Sequence, residues 1–114
     1  GLYEPVESRE FRLKILAEDF RAAGTAVLDS LAEYAKERPG WSIAPDNCEG
    51  VRVNLDKAHG DGWFLLRLSL HDPILPLNIE SDREHGARTI ARQLAPFLAQ
   101  QVNIDASSAL EFTL

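Results

Sequence analysis

From Glu10 to Ile15 apolar and charged residues alternate, with Phe11, Leu13 and Ile15 at a period of two, which predicts a half-buried strand. After Asp19 the period lengthens. Phe20, Ala23, Val27, Leu28, Leu31 and Tyr34 recur at helical intervals, while Arg21, Asp29, Glu33 and Lys36 fall largely elsewhere, so a helix runs until Pro39-Gly40 ends it. Trp41 to Glu49, with Pro45, Asp46 and Asn47, reads as a connector. Val51, Val53 and Leu55 alternate with Arg52 and Asn54 as a second strand. The turn-rich loop Asp56 to Gly62 leads into a third strand, Trp63 to Leu70, and the two strands form an antiparallel hairpin. That third strand is apolar on both sides, which places it centrally and covered.

His71-Asp72-Pro73 interrupts the extended pattern, and Ile74 to Glu80 resumes it. Ser81 or Asp82 is positioned to cap a last helix with Ala87, Ile90, Ala91, Leu94 and Leu98 as its buried stripe. Pro96 should kink or end that helix, because it removes a backbone donor and crowds the preceding turn. The tail, Asn103 to Leu114, either packs or frays. The order β-α-β-β-β-α predicts an α+β domain, a mainly antiparallel sheet covered by two helices.

Composition narrows the function. At 114 residues the chain is one domain, 1–114, and its 45% hydrophobic and 26% charged content is that of a soluble globular protein. No apolar run approaches a bilayer span and no leader opens the chain, so the expectation is a cytoplasmic domain with no membrane partner. A net charge of −6 argues against nucleic acid, but a single well-placed arginine can still hold one phosphate. One cysteine, Cys48, makes no internal disulfide, and with three scattered histidines it makes no zinc site. Glu80 and Asp82 lack a third hard ligand, so no metal is expected in this segment. With no methionine and Gly1 at the start, the chain reads as a fragment of a longer one.

The stretch that carries chemistry is Arg67-Leu68-Ser69-Leu70-His71-Asp72-Pro73. On a strand Arg67 and Ser69 share a face, while Leu68 and Leu70 point into the opposite layer. Arg67 offers a planar fork of donors, Ser69 a hydroxyl, His71 a ring donor, and the amides from Ser69 to Asp72, including the Leu70 backbone, can turn toward an anion. A bland reading stands beside it: a rim ion pair of Arg67 with Asp72 and an ordinary turn. Elsewhere, His59 reads as solvated in its Gly-rich loop and His85 as a surface residue; Cys48 packs; Trp41 and Trp63 are core or loop anchors; Glu33 and Glu37 belong to a solvated helix face.

The block from Glu49 to Ser81 resembles the C-terminal (fourth) domain of the α-D-phosphohexomutases, the phosphoglucomutases and phosphomannomutases. Gly50-Val51-Arg52-Val53 stands for that domain's first D-G-[VIL]-[RS]-[VM] strand. Arg67, Ser69 and Pro73 match its R-x-S-N-T-x-P loop, and Leu77, Asn78 and Glu80 match the segment after it. Arg9 to Ile15, followed by a helix, looks like the entry of the same domain. Leu70 and His71 replace the usual Asn-Thr, so two side-chain donors become one imidazole.

The resemblance implies that this segment binds the non-transferred phosphate of a hexose phosphate, glucose or mannose 1- or 6-phosphate, and helps close the cleft. Its partners are then the other domains of the same enzyme, which supply the donor phosphoserine and Mg2+. Neither a T-A-S-H-N-P type loop nor an Asp-x-Asp-x-Asp loop occurs here, so the isolated segment carries no catalytic residue and is expected to be inert. The alternative is a free-standing anion-binding or interaction module.

Overall fold

A computed structural model describes residues 4–45 and 50–114. Cys48 and the end of the expected connector lie outside the described residues. The elements run β1 (Glu7–Ile15), α1 (Phe20–Lys36), β2 (Trp41–Ala44), β3 (Gly50–Leu55), a 3-10 turn (Lys57–His59), β4 (Gly62–Arg67), β5 (Ile74–Ser81), α2 (Gly86–Ala99), β6 (Ile104–Asp105) and α3 (Ser107–Phe112). The strands form one six-stranded sheet in the order β2-β3-β4-β5-β1-β6. Every neighbouring pair is antiparallel. The fold is therefore α+β, a mainly antiparallel sheet covered by helices.

The helices gather on one face because one side of each strand is apolar. Leu13, Val53, Phe64, Leu66, Leu75, Leu77 and Ile79 are buried in register with one another and meet Leu31, Ile90 and Leu94 of α1 and α2. Burying each such side chain contributes about 1.5–3 kcal/mol, so this layer dominates the favourable energy. Asp19 caps α1 by accepting from the Ala22 N–H at 3.1 Å.

Several elements differ from expectation. Trp41–Ala44 is a strand and not part of a connector, since Trp41 pairs with Leu55 and seals the core at the sheet edge. β4 is central but, among the described residues, carries helices on one face only, and it ends at Arg67, three residues earlier than the apolar run implies. Neither Ser81 nor Asp82 caps α2. Ser81 is buried at the end of β5 and donates to the Gly60 carbonyl at 2.5 Å. Glu7 of β1 caps α2 instead, its carboxylate accepting from the N–H groups of His85 at 2.8 Å and Ala87 at 3.0 Å.

α2 continues past Pro96 to Ala99, because buried Phe97 and Leu98 keep its last turn against the core. The tail packs, adding β6 and a third helix to the two expected. Phe112 stacks on Phe11 with ring centroids 5.4 Å apart, and Arg92 Nε donates to the Thr113 carbonyl at 2.8 Å.

Candidate functional site

Strand alternation decides where the predicted residues go. Phe64 and Leu66 face the helices, so Trp63, Leu65 and Arg67 of β4 face the other way, on the helix-free side of the sheet. The register sorts that side into rows. Arg12 lies opposite Pro76, and Arg67, one position beyond the Leu66–Leu77 pair, borders Pro76 from β4 and pairs with Gly50 of β3. Two strand spacings therefore separate the arginines, roughly 10 Å between backbones. Between them the floor is a proline, and beyond Arg67 it is a glycine. A Cβ on Gly50 would lie 2.8 Å from the Leu66 carbonyl and 2.9 Å from Arg67 Cβ, so β3 begins against Arg67 only because no side chain is there.

The next row holds Glu10, Asn78, Leu65 and Arg52, with Asn78 Nδ2 donating to Glu10 at 3.2 Å. The row after that holds Glu80 and Trp63. Arg52 reaches over the Trp63 ring, 4.2 Å from its centroid, which shields the indole and leaves Trp63 half-buried on a solvent-facing surface. Arg12 and Arg67 thus lie at the end of the face where β4 passes into β5, while Glu10 with Arg52, and then Glu80, sit toward the other end. Lys14 adds to the basic end but lies opposite Asp105. Hydrogen bonds from Ser107, side chain first and then backbone, with Lys14 nearby, hold the Asp105 carboxyl below its usual range.

Arg67 is half-buried, and its side chain makes no hydrogen bond or ion pair with the described residues. The rim ion pair with Asp72 is therefore not formed. The loop beyond it is tightly made. Ser69 N–H donates to the Ile74 carbonyl at 3.0 Å, and Ile74 N–H to the Asp72 carbonyl at 2.7 Å, a γ-type turn around Pro73. This corrects two expectations. The Ser69 amide is spent inside the loop and not turned toward an anion. Leu70 does not enter the helix layer: with β4 ended at Arg67, it is 64% exposed. Its carbonyl instead accepts from Arg21 Nη2 of α1 at 2.8 Å. Among the described residues the N–H groups of Leu70, His71 and Asp72 make no hydrogen bond, and His71 is exposed.

A cavity of about 460 Å³ opens on the helix side of the same region, lined by Arg21, Thr25, Leu28, Asp29, Gly50 and Leu68 among others. It does not include Arg67, Ser69 or His71. The predicted residues are brought together at the end of the open sheet face and its loop, not in a cavity.

His59 is not the solvated residue its loop suggested. Its Nδ1 lies 2.5 Å from Asp56 Oδ1, its carbonyl accepts from Gln93 Nε2 at 2.6 Å, and Gln93 in turn accepts from Trp41 Nε1 at 3.0 Å. This network ties the β3–β4 loop to α2 at the end of the sheet away from Arg67. Among the described residues no group of three or more His, Cys, Asp or Glu is placed to hold a metal, and no helix is long and apolar enough to cross a membrane. Neither the protein-family models nor the curated proteins contain a match to this chain.

Proposed function

We propose that the chain is the phosphate-holding domain of a cytoplasmic phosphohexomutase, gripping the phosphate of a hexose phosphate that is not being transferred. One observation carries the reading: Arg67, at the basic end of the open face, is half-buried with no protein partner among the described residues. A guanidinium in that state is held ready for an external oxyanion, and its planar fork fits phosphate. Arg12 stands across Pro76 on the same face, and the Ser69 hydroxyl and His71 follow within the loop. The likeness of the Arg67–Pro73 stretch to the family's loop supplies the substrate class; the donor phosphoserine and the Mg2+ belong to other domains. What this segment contributes is binding and orientation, on which phosphoryl transfer depends.

The test is a titration of the chain with inorganic phosphate and with glucose 1-phosphate, followed by backbone amide NMR. Shifts should be confined to the Arg67–Asp72 loop and the facing end of β1. Arg67→Ala should weaken binding about tenfold to hundredfold, the worth of one charge-assisted contact, and Arg12→Ala about fivefold. Unmoved loop amides at tens of millimolar ligand and low salt would count against the assignment.

A further inference from the structure

The contact between Arg21 and the Leu70 carbonyl joins the helix layer to the candidate phosphate loop across 49 residues of sequence. Arg21 sits in the first turn of α1, where the helix dipole disfavours a cation, two positions after the acidic N-cap Asp19. Its guanidinium reaches the loop, where Nη2 donates to a backbone oxygen.

The peptide unit explains what that grip does. No described peptide bond is cis, so the Leu70 carbonyl and the His71 N–H point in opposite directions across one plane. Arg21 draws the carbonyl toward α1. The His71 N–H is thereby turned away from the Arg21 guanidinium, and among the described residues it meets no acceptor. We propose that Arg21 is a positioning residue for anion binding: by holding the Leu70 carbonyl it presents the His71 amide beside Arg67 as a second, fixed donor. This rests on the phosphate reading above and adds a residue outside the loop to it. A preoriented amide needs no ordering when the anion arrives, so the gain appears as affinity.

The measurement is a phosphate titration of the full chain by amide NMR, comparing the native sequence with Arg21→Met, Arg21→Lys and Arg67→Ala at low salt and at about 0.3 M salt. Arg21 is exposed, so the variants should fold, which their thermal unfolding checks. In the native chain the His71 amide should shift on phosphate addition. Arg21→Met should weaken binding about fivefold and abolish the His71 shift, the size of one lost hydrogen bond, with Arg21→Lys restoring part of both.

A positioning effect persists at high salt, where the Debye length shortens and an exposed charge no longer acts at a distance. Unchanged affinity and an unchanged His71 shift in Arg21→Met would overturn the proposal. So would a deficit that disappears at 0.3 M salt, which would make Arg21 only a distant charge. A native chain whose loop ignores phosphate, indistinguishable from Arg67→Ala, would overturn the phosphate reading itself and the inference with it.

Discussion

Gly40 follows Pro39 with φ +76°, and a Cβ there would lie 2.1 Å from His59 Nδ1 and 2.8 Å from Asp56 Oδ1. One missing side chain thus permits both the turn out of α1 and the His59–Asp56 contact. Gly40→Ala should destabilise the chain by about 1–3 kcal/mol, through positive-φ strain and displacement of the imidazole. Urea denaturation would measure the loss, and an unchanged midpoint would show that the turn relaxes freely. Residues of this kind are poorly legible in sequence. Pro39-Gly40 announces a turn, but that His59 packs against it depends on a loop nearly twenty positions away. Arg67 stands out in the sequence as a candidate because its neighbours Ser69 and Pro73 mark it. Arg12 does not, since only the β1–β5–β4 register brings it to the same row.

At the level of elements, α1 was readable because its apolar spacing is a local property. β2 was not: four residues beside Pro45 and Asp46 carry little periodicity, and pairing with β3 is what makes them a strand. The start of α2 was misplaced for a similar reason, since its cap comes from a residue 78 positions away. Glu7 shows what such a cap does. Burial works against its charge, but the backbone N–H groups of His85 and Ala87, helped by Arg9, hold its carboxyl below the usual 4.5.

A group lowered on folding adds stability above its unfolded value and loses that contribution as pH falls through the folded one. Stability should therefore decline from about pH 4.5 downward. Glu7→Gln should cost about 0.5–1 kcal/mol at neutral pH, the low end for a partly exposed cap, and flatten that acid limb. Denaturation at pH 7 and pH 4 on both proteins measures it; parallel curves would mean that other carboxyls set the acid limb. The tail makes a larger contribution. Ile104, Ala106 and Ala109 are buried and Phe112 covers Phe11, so removing residues 104–114 should cost about 3–5 kcal/mol in the same assay.

Taken whole, the molecule separates charge. A chain of net charge −6 keeps Arg12 and Arg67 at one end of the sheet face that carries no helix among the described residues. On the proposed reading, phosphate would approach through a field that is repulsive overall and attractive locally, so moderate salt screens both. On that reading the two arginines touch the anion and are screened least, so affinity should fall only about twofold to fourfold between 0.02 and 0.2 M salt. Isothermal titration would show it, and a rise with salt would mean that the net negative charge governs approach. The helix-covered side of this architecture follows from hydrophobic pattern alone. The uncovered side does not, because its meaning lies in which rows the strands share.

The outer rim of β1 has a consequence for association between molecules. β6 pairs only with Lys14 and Ile15, so among the described residues no strand meets the outward backbone groups from Glu7 to Leu13. Such a rim is a template on which a second copy can lay its own strand and begin a fibril. Ser8, Glu10, Arg12 and Lys14 alternate along it, all exposed, and docking another strand would strip water from their charges. Arg12 therefore discourages strand addition as well as standing across Pro76 from Arg67, and Arg12→Ala trades away some of that protection. Concentrated samples of that variant should polymerise sooner than the native chain.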